Sequence, residues 1–396
     1  MNKIFFNSNK FIFAIILFMV PVSQASIDIY SPSMPHIVNG LNTTESKVQL
    51  TISLFLLSLG VGQYLYGAIS DSIGRKKSLL IGMFLFTISS LACYYSTNIE
   101  ILILARFFQG LGAASIAVLS KAVSVDLYDG IALMKASAWV GLIWGVAPIV
   151  APVIGGYLDE FGGWRLSFLV LAIYGFISCL FIILFMPETN KKFQKFNFNY
   201  ILKTSFIILK NKDFMGSTLI IATTNLGLFV FTLMAPFLIQ NILGKSQIFF
   251  GYMALVIGSI YILGAFLSNY AIRNFESDKI INLVSKMLLL IGIIMVFVSF
   301  LFPKSIWVLM LTSSLFAFSS GFLYPFLVGR MFAPFQNIAG MVSANYGIVS
   351  YTFSGIISIV ISCLKITSLI EISYAYCLVG IITYLSMRFM FKFSFK

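Results

Sequence analysis

Apolar residues occur along this chain in long blocks, not in alternation. Twelve blocks could each form a helix across a hydrocarbon layer, at roughly 11–31, 48–70, 77–97, 99–121, 133–158, 164–187, 214–240, 247–270, 280–302, 305–328, 341–364 and 370–391. A helix rises about 1.5 Å per residue, so about 20 mainly apolar residues cross a core of about 30 Å. The short alternating segments of a membrane barrel are missing, which favours helices. Basic residues punctuate the blocks unevenly. With the N-terminus inside, 20 of the 26 Lys and Arg fall in inner segments. Lys47, Arg165, Lys245, Lys304 and Lys365 fall outside, and Arg106 lies within a block. This bias puts both termini in the cytoplasm. The expected architecture is an all-α membrane protein with twelve transmembrane helices.

A polar, basic and aromatic segment at 188–213 divides the chain. The expected organisation is a six-helix half over 1–190, a cytoplasmic linker over 191–213 and a second six-helix half over 214–396. Phe193, Phe196, Phe198 and Tyr200 stand among lysines there, as in a stretch lying on the inner leaflet. Simple linkage is an equal alternative. Lys3 and Lys10 before the apolar run Phe11–Val22, with Ser23-Gln24-Ala25 behind it, have the outline of a cleavable signal. Retention is expected, because cleavage would remove the helix that carries Asp28.

Composition narrows the function classes. Hydrophobic residues make up 59% of the 396 and charged residues only 10%, with a mean hydropathy of +0.98. Ordinary soluble domains carry about 25% charge. A water-soluble enzyme, a disordered chain and a disulfide scaffold are excluded. The net charge of +13 is accounted for by topology, so no nucleic-acid partner is expected. The single histidine, His36, is expected on a solvated outer loop. Cys93, Cys179, Cys363 and Cys377 are scattered and form no CxxC pair, so they read as small apolar fillers. Gly244-Lys245-Ser246 ends like a phosphate loop, yet Ile239 occupies the position of its first glycine. GLGAAS, from Gly110, lacks the third glycine of a dinucleotide loop and suits close helix packing. No enzyme, metal or cofactor is indicated, and uphill transport would draw on an ion gradient.

Between the second and third blocks runs Gly67-Ala-Ile-Ser-Asp71-Ser-Ile-Gly74-Arg75-Lys76-Lys77. Glycine allows the sharp return, and Asp71 can cap a helix or meet a cation. The spacing resembles the signature loop of the major facilitator superfamily. LARFFQGLGAAS, with Arg106 and Gln109-Gly110, is similar to a second motif of that family. GVAPIVAPVIGGYL resembles the proline–glycine motif of its drug–proton antiporters through Pro148, Pro152, Gly155 and Gly156. Gly163-Trp164-Arg165 and Pro187-Glu188-Thr189 also match. Asp28-Ile-Tyr30-Ser-Pro32-Ser-Met-Pro35 is similar to the bicyclomycin-resistance (Bcr/CflA) group of multidrug efflux proteins. The likeness is dense over 20–190. It departs at Val125, where that group carries a basic residue before the aspartate.

The resemblance implies a proton-coupled exporter of small amphipathic compounds, working by alternating access in a bacterial inner membrane, as a monomer. A transporter of a metabolite, siderophore, sugar or amino acid on the same fold, or a non-transporting receptor, remains the alternative. Intramembrane ionisable groups are costly and usually functional, which singles out Asp28 and Arg106. By helical rise both lie in the outer half of the bilayer, at similar depth. A carboxyl's protonation responds to desolvation and to a nearby cation, so Asp28 is the expected proton carrier and Arg106 its counter-charge. A static ion pair, or an Asp28 near enough the outer boundary to be solvated, is the competing reading. The loop Gly67, Asp71, Gly74, Arg75, Lys76 and Lys77 is expected, by resemblance, to latch the halves in the outward-open state. Pro148, Pro152, Gly155 and Gly156 permit bending and close approach; the resemblance implies in addition a gating seam against the second half, with bending alone as the alternative. Gln24, Tyr30, Gln109, Asn225, Phe229 and Tyr324 are the candidate substrate contacts.

Overall fold

The computed structural model describes residues 8–190, 193 and 197–391. Lys3, Lys191, Lys192, Lys195, Phe196, Lys392 and Lys396 lie outside the described residues. Twelve of the described helices are long and apolar enough to cross a membrane. The first six are α1 (Asn9–Gly40), α2 (Glu45–Ile73), α3 (Arg75–Tyr94), α4 (Ile99–Leu127), α5 (Gly130–Gly162) and α6 (Arg165–Phe185). A short helix, α7 (Phe198–Lys210), follows. The others are α8 (Lys212–Ile242), α9 (Gln247–Asn274), α10 (Ser277–Leu301), α11 (Ile306–Phe335), α12 (Ala339–Ile361) and α13 (Leu369–Met390).

Each half is assembled in the same way. α4 packs between α2 and α3, and α6 lies on α3. In the second half α11 packs on α9 and α8, and α13 lies on α10. Small residues set these distances, since lipid offers no hydrophobic drive between helices. A Cβ on Gly110 would stand 2.5 Å from the Phe55 carbonyl oxygen, and one on Gly112 would stand 2.5 Å from the Phe86 nitrogen. The GLG of α4 is therefore a packing surface.

The ends of α2, α4, α9 and α11 share one end of the bundle, here called the basic face. Gly74 turns the chain there with φ +97, a region that favours glycine. Glu188 closes the turn, accepting from the backbone nitrogens of Arg75 at 2.8 Å and Lys76 at 3.2 Å. An acidic group at a helix N-terminus also meets the positive end of its dipole. Arg75 reaches Asp71 at 2.6 Å and Asp126 at 3.1 Å, and Thr189 donates to Asp126 at 3.1 Å. The second half has a matching clamp of opposite layout. Arg330, at the end of α11, binds Asp213 at 2.6 Å and also Asp278 at the start of α10.

Two seams join the halves. Along the α2–α12 seam, Gly60 packs on Thr352, Gly347 on Gln63, and Gly67 on Ala344. That seam is closed over most of its length. In the α5–α9 seam, Gly258 meets Ile149, Gly251 meets Pro152, and Gly156 meets Gln247 and Ile248. Tyr157 and Tyr252 share a 3.0 Å hydroxyl hydrogen bond nearby. Toward the basic face this seam parts. Gly141 and Gly145 adjoin open space, and Ile131, Met134, Trp139 and Leu142 are more than half exposed. Pro148 and Pro152 lie within a continuous α5.

Two sequence expectations need correction. The first helix does not end near residue 31; it continues as a broken rod to Gly40. The α4 helix runs to Leu127, so Lys121 is part of it and not of a loop.

The α5 glycines give a paired test. A Cβ on Gly155 would fall 1.6 Å from the Ile29 carbonyl oxygen, whereas Gly141 has room. Gly155→Val should lower the melting temperature in detergent, by overpacking worth about 1–3 kcal/mol. Gly141→Ala should leave it unchanged or raise it, because alanine favours a helix by about 1 kcal/mol. Equal melting temperatures for the two variants would contradict this packing.

Candidate functional site

Prolines break α1 into segments. Asn9–Met19 and Pro21–Asp28 are followed by a tight turn at Ser31–Ser33 and a last segment, Met34–Gly40. Pro21, Pro32 and Pro35 each sit in the first turn of a segment, where the missing N–H costs little. The break after Asp28 leaves backbone carbonyls without their helical donors. Side chains take them up: Ser31 Oγ donates to the Asp28 carbonyl at 2.7 Å, and Gln240 Nε2 donates to the Pro32 carbonyl at 2.6 Å. Arg106 Nη1 donates to the Ser26 carbonyl at 3.0 Å.

Arg106 is fully buried. Its Nη1 also donates to Gln109 Oε1 at 2.5 Å, and Gln109 Nε2 passes the chain on to Ser90 Oγ at 2.7 Å. The guanidinium lies over the rings of Tyr30 at 4.5 Å and Phe55 at 4.2 Å, with Phe168 at 5.9 Å. Such desolvated cation–π contacts are worth about 2 kcal/mol. Among the described residues, Nε and Nη2 have no hydrogen-bond partner and no carboxylate forms an ion pair with Arg106.

Asp28 is buried at the break, within electrostatic reach of Arg106. Its Oδ1 accepts from Thr232 Oγ1 of α8, in the other half, at 3.2 Å. The two charges share one neighbourhood without direct contact. Gln49 Nε2 donates to the Leu233 carbonyl at 3.1 Å, and Asn241 Nδ2 donates to Glu45 Oε1 at 3.3 Å. Together with Gln240, these bonds close α1 and α2 against α8 on the face opposite the basic one.

The other candidates are placed unevenly. Tyr30 is fully buried beneath Arg106, with its hydroxyl 2.7 Å from Thr51 Oγ1. Gln109 is fully buried and fixes Arg106. Neither faces open space in this conformation. Gln24, Asn225, Phe229 and Tyr324 are half-buried. Gln24 accepts from Tyr351 of α12 at 3.5 Å, and Asn225 accepts from Ser320 at 2.9 Å. Tyr324 belongs with Tyr261, Tyr346 and Tyr351 to a cluster within mutual electrostatic reach. Sequence reasoning missed Thr232 and Tyr351, which only the folded second half brings to α1, and the tyrosine cluster, which is assembled from three separate helices of that half. Asp71 and Arg75 bond each other, Arg75 also bonds Asp126 of its own half, and Gly67 of that loop motif packs across the seam on Ala344. Val125 is exposed, so its departure from the group's pattern leaves the Arg75 clamp intact.

His36 is exposed, as expected, but it stands on a helix and not a loop, and it is paired. It lies on a helical segment of α1, and its Nδ1 is 2.5 Å from Oδ2 of the buried Asp159. Asp159 sits in the last turn of α5, where a negative charge opposes the helix dipole. A counter-group was needed, and the one histidine supplies it.

These features occur together in one known architecture. The chain matches the Major Facilitator Superfamily over residues 16–362. It belongs to that superfamily. The superfamily comprises membrane transporters, and this chain is a multi-pass membrane transporter, not an enzyme. It is 39% identical over 251 residues to YdgK, an uncharacterized MFS-type transporter of Bacillus subtilis (strain 168), covering 61% of this chain and 62% of that one. It is 27% identical to multidrug resistance protein D of Escherichia coli (strain K12) over 87% of this chain and 86% of that protein. It is 28% identical to the bicyclomycin resistance protein homolog of Haemophilus influenzae (strain ATCC 51907 / DSM 11121 / KW20 / Rd) over 68% of this chain and 67% of that one. The fold matches a D-xylose-proton symporter with a TM-score of 0.75 at 14% identity, over 99% of this chain and 98% of that one.

Two tests follow from the polar contacts. Gln109→Leu removes the side-chain acceptor of Arg106 and should cut transport at least tenfold per folded molecule, beyond any fall in melting temperature; transport by Gln109→Leu at the parent rate would remove Gln109 from the site. His36→Leu should lower the melting temperature by stranding Asp159, a cost of about 1–3 kcal/mol, and adding Asp159→Asn should restore part of it.

Proposed function

We infer that the protein exports small amphipathic, drug-like compounds in exchange for protons by alternating access, as a monomer in a bacterial inner membrane. The basic face is then cytoplasmic, in keeping with the positive-inside bias. The names of the multidrug and bicyclomycin resistance relatives support the substrate class. Placement in the Bcr/CflA group follows from the same relatives and the Asp28–Pro35 motif.

The observation that carries the coupling is the position of Asp28. It is the carboxylate at the break of α1, buried beside an Arg106 that has no ion-pair partner among the described residues, and held across the halves by Thr232. Opening toward the outer face separates α1 from α8, so Asp28 loses Thr232 and meets water there. A proton taken up in that state neutralises Asp28 and lets the Asp28–Thr232 contact reform as a neutral hydrogen bond. When the cavity faces the cytoplasm, Arg106 favours the ionised carboxylate and the proton leaves. Substrate rides the opposite half of the cycle in the space bordered by Gln24, Asn225, Phe229 and the tyrosines of α9, α11 and α12. The proton gradient supplies the energy, and no cofactor takes part.

Inverted vesicles with an acidic lumen should take up a fluorescent amphipathic cation added outside, and collapse of the pH gradient should stop it. Asp28→Asn should lose gradient-driven transport while retaining substrate counterflow, and Arg106→Ala should lose both. Full proton-driven transport by Asp28→Asn would reject the assignment.

A further inference from the structure

We propose that α7 is a lipid-reading bolt: its outer face docks on anionic headgroups of the leaflet at the basic face, and its inner face holds the α2–α12 seam shut through Ser205. The buried face consists of Ile201, Thr204, Ser205 and Ile208, at helical spacing. Ser205 Oγ lies 3.0 Å from the Tyr64 hydroxyl of α2 and accepts from Asn345 Nδ2 of α12 at 3.1 Å. One hydroxyl thus touches both halves, one turn from the Gly67–Ala344 contact.

The opposite face is unlike a solvated helix. Tyr200, Leu202, Phe206 and Ile207 are 45–61% exposed, and the exposed Lys203 and Lys210 stand among them. Lys210 Nζ lies 4.2 Å from the centre of the Phe206 ring. The helix contains no acidic residue. Only Asn211 separates it from α8, whose start marks the membrane boundary. An apolar face with lysines at that level fits acyl chains beneath phosphate groups. A neutral surface would satisfy the apolar residues and leave the lysines without a counter-charge. The occupant is therefore an anionic membrane lipid, and its effect reaches the transporter through Ser205.

The test uses the full-length protein in nanodiscs and needs no transported substrate, so it stands apart from the function proposed above. Phe206→Trp adds a fluorophore at an exposed position, and the parent protein supplies the background from its own tryptophans. Brominated phosphatidylglycerol should quench the added signal about twofold more than brominated phosphatidylcholine at equal mole fraction. Lys203→Gln with Lys210→Gln should abolish that preference. Hydrogen exchange around Tyr64 and Asn345 should slow severalfold when phosphatidylglycerol is added to phosphatidylcholine, and Ser205→Ala should erase the difference. Absence of quenching by either lipid would make α7 a plain connector. Equal quenching by both, unchanged by the lysine substitutions, would overturn the recognition of charge. Lipid-independent exchange at the seam, or an unaltered response in Ser205→Ala, would overturn the bolt.

Discussion

Burying a guanidinium in a membrane bundle costs several kcal/mol unless its charge and its N–H groups are met. Arg106 is met by a carbonyl released from α1, by Gln109 and by the faces of Tyr30 and Phe55. Each of these partners imposes something on the fold. The carbonyl is available because α1 is broken after Asp28, and the break is sustained by prolines that sit at segment starts. Gln109 is held by Ser90, which fixes α3 against α4. Gly155 must lack a side chain because the irregular backbone at Ile29 presses on α5. The unmet Nε and Nη2 leave the cation a residual demand for an anion, which Asp28 is close enough to feel.

The two seams divide the labour of closure. The α2–α12 seam is a nearly continuous run of glycine contacts, whereas the α5–α9 seam is closed only toward the outer face and parted toward the basic face. A rigid-body rock of one half on the other would pivot where the α5 and α9 backbones nearly touch. Glycines at Gly156 and Gly251 allow that touch, and the absence of contact at Gly141 and Gly145 leaves clearance for the swing.

Much of the fold was legible in the sequence, because hydrocarbon permits few solutions and block length alone predicts the helices. Twelve blocks became twelve helices, and Arg106 and Asp28 stood out since charge is scarce within blocks. The break in α1 was less visible, because Pro32 and Pro35 mark a disruption without saying that helix resumes beyond it. The pairing of the exposed His36 was missed for a related reason: its partner Asp159 is 123 residues away and carries no local signature. Thr232, Ser205 and the tyrosine cluster were not legible at all. Threonine, serine and tyrosine are ordinary within apolar helices, and only tertiary contacts distinguish them: Thr232, Ser205 and Tyr351 bond across the halves.

The two arginine clamps of the basic face have opposite layouts. In the first half the cation is at the start of α3 and an anion at the end of α4; in the second the anion is at the start of α10 and the cation at the end of α11. Two halves with similar packing risk pairing with the wrong neighbours while the chain is being inserted. If α10 settled on α4, Asp278 would meet Asp126; if α3 settled on α11, Arg75 would meet Arg330. Both errors place like charges together at the membrane boundary, so the inversion acts as a key that lets each half close only upon itself.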